Sequence, residues 1–191
     1  MMPSSISRKM VTDLCHEGVE DARKKYETWS GGWSLRVAPE SLTQASIAEK
    51  LATSSPYVTL EDKITYLLKM SRAMNPHSIP GGKNQRADIT LWNGNSTPRF
   101  VIEVKKLSGN DCCSRDAARL RWIISRCPSI SAGFVVAITH AVEKQTISKK
   151  FQSIGKKISA SYEENISSSQ AYSKMNRYVY FGCACFLITA S

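Results

Sequence analysis

Arg86-Ala-Asp-Ile-Thr-Leu-Trp92 and Arg99-Phe-Val-Ile-Glu-Val-Lys-Lys106, joined by Asn93-Gly-Asn-Ser-Thr-Pro98, form the stretch that decides how this chain folds. Both runs are rich in apolar residues and the link consists of turn formers, so they read as the two strands of a hairpin. Side chains alternate faces along a strand, so Phe100, Ile102 and Val104 share an apolar face while Val101, Glu103 and Lys105 share the other. Ile89 and Leu91 oppose Asp88 and Thr90 in the same way. A turn symmetric about Asn95-Ser96 pairs Trp92 with Arg99, and counting back sets Asp88 opposite Glu103. Directly opposed side chains lie about 5 Å apart. Two carboxylates held so close repel, and a fold tolerates them mainly when a cation sits between. Carboxylate oxygens select a hard cation, Mg²⁺ or Mn²⁺, which lowers the pKa of bound water and clamps phosphate. A lysine two residues on can orient or deprotonate the attacking water, or offset phosphate charge.

Upstream of the hairpin, Ile6 to Lys25 reads as a helix with a weak stripe of Ile6, Met10, Leu14 and Ala22, broken by Trp29-Ser-Gly-Gly-Trp33. Pro39 opens a second helix with Glu40 in its first turn, where the helix dipole favours a carboxylate. Leu42, Ala45, Ala48 and Ala52 are expected to face the core. Tyr57 to Glu61 reads as the first strand, with a continuation to Leu68 left open, and Pro76, Pro80, Gly81 and Gly82 mark a loop. Downstream, Ser114 is expected to cap a helix that buries Ala117, Leu120, Ile123, Ile124 and Cys127. Gly133 to His140 reads as a continuous apolar strand. Val142 to about Tyr162 reads as a helix with Ile147, Phe151, Ile154 and Ile158 in one stripe, and Arg177 to Thr189 as the final strand. Helix, three strands, helix, strand is an α/β order, and the hairpin makes the sheet mixed.

An Asp opening one strand of a hairpin, followed by Glu-x-Lys in the next apolar strand, resembles the PD-(D/E)xK (restriction-endonuclease-like) nuclease superfamily. Arg86-Ala87-Asp88 stands at the first motif, with Ala where the pattern has Pro, and Glu103-Val104-Lys105 at the second. The likeness spans about residues 39 to 140. It implies a restriction-endonuclease-like core of a mixed β-sheet flanked by helices, with residues 1–38 as an N-terminal helical extension and 39–191 as the nuclease-like domain. It further implies a metal-dependent nuclease that hydrolyses DNA phosphodiester bonds, in phage or restriction defence by family analogy alone. Asp88, Glu103 and Lys105 would be catalytic, with Asp88 and Glu103 holding Mg²⁺ (or Mn²⁺). Many members add an acid from the preceding helix or the first strand, for which Glu40, Glu61 and Glu49 are the options. The alternative is a catalytically silent nuclease-fold protein that binds nucleic acid or a protein partner. An unrelated α/β protein binding an acidic partner is the third reading.

The charge agrees with a polyanionic partner, DNA first. The 191 residues carry 26 Lys/Arg against 16 Asp/Glu. Residues 1–60 hold seven of each, so residues 61–191 carry the whole +10. Each phosphate neutralised by such residues releases counterions. Arg115, Arg119, Trp122 and Arg126 recur on one helical stripe opposite the apolar one, where Arg suits phosphate and Trp an unpaired base. A solvated basic face is the competing reading. Arg86 and Gln85 flank the Asp88 strand as further substrate contacts. Lys149, Lys150, Lys156 and Lys157 read as solvated. The length suits one ordinary domain. No stretch reads as a membrane span or secretory signal, so the expectation is a cytoplasmic protein. The N-terminal helix leaves open a homodimer or a protein partner. The six cysteines, Cys15, Cys112, Cys113, Cys127, Cys183 and Cys185, contain no C-x-x-C pair and read as reduced, with Cys183 and Cys185 sharing one strand face.

Overall fold

The computed structural model describes residues 6–73, 79–82, 84–107, 112–169 and 179–190. Helix α1 (Arg8–Trp29) begins where the Ser7 hydroxyl accepts from the Met10 N–H, and the chain leaves it through Gly31 and Gly32 at positive φ. After a single 3₁₀ turn, α2 (Glu40–Ala52) starts directly behind Pro39. Strand β1 (Tyr57–Lys63) and helix α3 (Ile64–Met70) precede the hairpin of β2 (Arg86–Trp92) and β3 (Pro98–Lys106). Helix α4 (Cys112–Arg126) connects β3 to β4 (Ala132–Ala141). Helix α5 (Lys144–Lys157) and strands β5 (Ser161–Ser169) and β6 (Val179–Ile188) complete the fold. Pro76, expected in a loop, and Arg177, expected to open the last strand, lie outside the described residues.

The strands form one mixed six-stranded sheet in the order β1-β2-β3-β4-β6-β5. β3 and β4 pair in parallel through the α4 crossover, and the other neighbours pair antiparallel. The period-2 alternation then builds two apolar layers. Phe100, Ile102, Phe134, Val136, Cys183 and Cys185 pack under α1 and α2. Val101, Val135, Ala137, Ala184 and Phe186 pack under α3, α4 and α5. Residues of α1, including Val11, Cys15, Val19 and Ala22, are fully buried in the first layer, so the N-terminal helix shares the sheet's own core. Cys15, Cys127, Cys183 and Cys185 are free, buried thiols. Among the described residues, no helix is long and apolar enough to cross a membrane.

Four local expectations change. The apolar run after Lys63 is helical, because Ile64, Leu67 and Leu68 recur at i, i+3 and i+4 and bury together. α2 buries Thr43, Gln44, Ser46, Ile47 and Leu51 while Ala45 and Ala52 are exposed, because it packs on α1 as well as on the sheet. α4 starts at Cys112, so Ser114 lies inside it, although its buried side is the one expected. α5 ends at Lys157, and the polar segment behind it is the edge strand β5, whose Glu163 and Glu164 guard it against further pairing.

The α1–α2 contact depends on one missing side chain. A Cβ on Gly18 would sit 2.5 Å from Ile47 Cα, a backbone atom with nowhere to go. Alanine in place of a mid-helix glycine ordinarily stabilises by about 1 kcal/mol. Here the sign should reverse: Gly18→Ala should lower the urea midpoint and cost on the order of 1–3 kcal/mol, as overpacking does. A midpoint at or above wild type would show that the two helices can part without loss.

Candidate active site

The hairpin keeps the counted register through its middle, with Leu91↔Phe100, Thr90↔Val101 and Ile89↔Ile102. At the turn it slips, so that Trp92 faces Pro98 instead of Arg99, through a bulge between Leu91 and Trp92. At the other end the simple alternation breaks. Ile89 packs in the α1–α2 layer and Ala87 in the α4 layer, although a regular strand would put both on one side. The neighbouring edge is irregular at the same level: Glu61, at φ 57°, falls between the Leu60↔Ile89 and Asp62↔Ala87 pairs. Asp88 sits in this irregularity, and its Oδ2 accepts the Val104 N–H at 2.7 Å. A side chain thus takes a strand N–H just beyond the last β2–β3 pair.

Glu103 is fully buried beside Val135 of β4. Its Oε2 lies 2.7 Å from Arg119 Nη2, which also reaches Asp116 Oδ1 at 2.8 Å. The Glu103 contact is an ion pair without hydrogen-bond alignment, and Glu103 Oε1 has no hydrogen-bond partner at all. Arg119 Nη1 donates to Gln85 Oε1 at 2.9 Å, and Gln85 Nε2 donates in turn to the Gly81 carbonyl at 3.0 Å. Burial, and then the negative charge of Asp88, push the Glu103 carboxyl up to about 8 against the pull of Arg119. Burial also raises Asp116, opposed by Lys105 and Arg119.

Lys105 completes the cluster, with Nζ 3.5 Å from Glu40 Oε1 and 3.9 Å from Asp116 Oδ2. Burial alone would lower its pKa, but Asp116, Glu40, Asp88 and Glu103 together hold it above the ordinary lysine value. A lysine held protonated orients groups and offsets negative charge; it is a poor base. Of the three acids weighed as a further ligand, Glu40 at the head of α2 pairs with the cluster's lysine. Glu61 points its side chain to solvent while its carbonyl accepts from Arg86 Nη1, and Glu49 pairs with Lys25 at 2.8 Å. Asp116 was not foreseen. Its signal was the Asp-x-x-Arg spacing with Arg119, which puts acid and base on one helix face.

The expected arginine stripe divides. Arg115 and Arg126 are exposed, whereas Arg119 turns inward to Glu103 and Asp116. The Arg126 guanidinium lies 4.7 Å over the Trp122 ring, and Trp122 packs half-buried on the core, so one ring face already has a partner. A concave aromatic site lies elsewhere. Tyr57, Thr59, Tyr66, Met70, Trp92 and Ser96 line a pocket of about 200 Å³ where β1, α3 and the hairpin turn meet.

Among the described residues no three His, Cys, Asp or Glu groups converge as a metal-holding set. Mg²⁺ commonly needs fewer from the protein, taking one or two carboxylates and completing its shell with water and substrate phosphate. Asp88 and Glu103 fit that kind of donor set, and the orphaned Oε1 of Glu103 is a buried acceptor without a donor. Comparison with protein-family models, with curated proteins and with solved structures returned no match.

The Glu103 shift has a thermodynamic consequence. Between the ordinary value of 4.5 and about 8, the native state holds a proton that the unfolded chain has released. Stability therefore falls as pH rises through that window. Glu103→Gln removes the titrating group, so its stability relative to wild type should grow with pH from about 5 to 8, by on the order of a few kcal/mol. Urea unfolding at several pH values, in chelator, measures this difference. A difference independent of pH would mean that Glu103 is ionised throughout.

Proposed function

We propose that the chain is a metal-dependent nuclease that hydrolyses DNA phosphodiester bonds on a restriction-endonuclease-like core. The observation that carries the reading is the convergence of Asp88, Glu103 and Lys105 beneath α4, with a buried Glu103 oxygen that no protein donor satisfies. The succession of α2, β1, β2, β3, α4 and β4, with β3 and β4 parallel, supports the same core. Mg²⁺ bound there would supply an activated water and neutralise charge on the transferring phosphate. Asp88 and Glu103 would hold it, Lys105 would orient the water and balance phosphate charge, and Glu40 and Asp116 would hold the lysine. The layers support a polyanionic substrate: the neutral first 60 residues furnish α1 and α2 on one face, and the basic α4 and α5 cover the face that carries Glu103. Arg115 and Arg126 are the exposed phosphate contacts of this reading. The exposed rings of Tyr57 and Tyr66 at this pocket, with Trp92 buried behind them, offer faces for an unpaired base.

One observation favours the second reading, a catalytically silent nucleic-acid-binding protein. Arg119 already gives Glu103 a cation inside the protein. Cleavage of plasmid and single-stranded DNA, with and without Mg²⁺ or Mn²⁺, separates the two. Asp88→Ala should lose cleavage and metal binding together, because a hard cation loses an oxygen ligand. Lys105→Ala should keep fold and metal binding and lose cleavage by a factor of about 10²–10⁴. Activity that persists in both variants, in preparations free of host nuclease, would sink the assignment.

Binding supplies an independent check. Replacing Arg115 and Arg126 together with alanine should flatten the dependence of log affinity on log salt by roughly 0.7–0.9 for each phosphate left without its arginine, whatever the DNA sequence. Melting should barely change, since both side chains are exposed. An unchanged salt slope would leave these arginines as a solvated face.

A further inference from the structure

We propose that Arg119 is a built-in stand-in for the divalent cation, and that the ion loads only as the arginine releases Glu103. The inference rests on the nuclease reading and concerns the regulation of that same site. One guanidinium nitrogen, Nη2, bridges Glu103 on β3 and Asp116 on α4 at 2.7 and 2.8 Å. A metal ion on Oε1 of the same carboxylate would lie close to that guanidinium in a buried site, where repulsion between two cations weakens both contacts. Arg119 and a metal ion therefore compete for the charge of one buried carboxylate.

The arginine is placed to let go. Its contact with Glu103 lacks hydrogen-bond alignment, and its Nε is buried without a hydrogen-bond partner. Its bond to Asp116 lies within one helical turn, and its Nη1 bond to Gln85 is independent of Glu103. In this proposal the guanidinium leaves Glu103 by side-chain rotation and keeps Asp116, its partner on the same helix. A phosphate entering with DNA is the natural receiver for the freed guanidinium, whose planar fork matches phosphate oxygens. Metal and DNA should then strengthen each other's binding reciprocally.

The magnitude follows from population. If the closed arginine fills about nine-tenths of molecules, metal affinity is weakened roughly tenfold. Mn²⁺ binding to the full chain, measured by calorimetry on wild type, Arg119→Gln, Arg119→Lys and Asp88→Ala, tests this. Arg119→Gln should bind about tenfold more tightly than wild type. Arg119→Lys should fall between, since an ammonium keeps the positive charge but lacks the second nitrogen with which Arg119 also holds Gln85. Asp88→Ala should lose binding. Equal or weaker affinity in both Arg119 variants, with binding still lost in Asp88→Ala, overturns the stand-in and leaves the metal site intact. Absence of binding in every protein, or binding that survives Asp88→Ala, overturns the metal site and the stand-in with it. Wild-type protein gives a readout free of folding effects. The nitrogen-15 signal of the Arg119 side chain, identified by its loss in Arg119→Lys, should shift on addition of Mg²⁺. A signal unmoved at saturating Mg²⁺ overturns the proposal.

Discussion

A carboxylate set in the middle of a sheet must be paired, protonated or bound to a cation, and Glu103 imposes that choice on its surroundings. Its side chain is shut off from bulk solvent, so the ionised form carries a desolvation cost of several kcal/mol that only a close cation offsets. Arg119 answers it, and the answer has structural reach. The buried stripe of Ala117, Leu120, Ile123 and Cys127 sets the rotation of α4 about its own axis, and that rotation brings Arg119 Nη2 to Glu103 on β3. Because Arg119 Nη1 also holds Gln85, the segment entering β2 is fixed to the same helix. Asp88 then fastens the hairpin from the other side through the Val104 N–H. Three elements meet at this ion pair, on the flank of the apolar layer formed by Leu120, Ile123 and Ile124.

That arrangement is costly for a protein with no use for it. Replacing a buried ion pair by well-packed apolar side chains is often neutral or stabilising. Here the site is also incompletely satisfied, with Glu103 Oε1 unpartnered and burial raising both Glu103 and Asp116. Burial and the crowding of three acids, which together keep a proton on Glu103, and an unmade hydrogen bond are a strain that, on the proposed nuclease reading, a divalent cation would relieve. The proposed nuclease reading gives this strain a purpose, whereas a purely architectural ion pair does not.

Strands β2 and β3 were legible because their alternation is strong and their link is made of turn residues, which fixed the middle of the register to the residue. The buried stripe of α4 was legible for the corresponding reason, an apolar period near 3.6. β5 was not, because Ser161–Ser169 is an edge strand with few apolar residues, and edge strands lack the pattern that burial imposes. The state of residues 64–68 was left open because so short an apolar segment shows too few turns to declare its period, and it is the helix α3. The inward turn of Arg119 was hidden for a different reason. Periodicity shows that Arg115, Arg119 and Arg126 share a side of the helix, yet that side is broad. Arg119 lies at the margin where the helix meets the sheet, and only the tertiary position of Glu103 distinguishes it from its neighbours.

Exposure within the cluster also gives the site a direction. The Glu103 side chain is 1% exposed and Asp116 7%, Arg119 rises to 16%, Lys105 to 27%, and Glu40 to 34%. The gradient runs from the centre of the sheet towards the head of α2, so an anion entering from solvent meets the Lys105 and Glu40 end first. A carboxylate at that mouth would repel it, but Glu40 is paired with Lys105, and Asp116 faces both Lys105 and Arg119. The acids near the entrance are therefore matched by cations, and the least compensated acceptor lies at the bottom. On the proposed nuclease reading, such an ordering would let a phosphate approach along positive side chains and leave the unsatisfied carboxylate oxygen to a small cation. A bare metal ion without its phosphate would have to pass the same ammonium and guanidinium against their repulsion. Charge order along the entrance would thus, on that reading, favour metal and phosphate arriving together over the metal arriving alone.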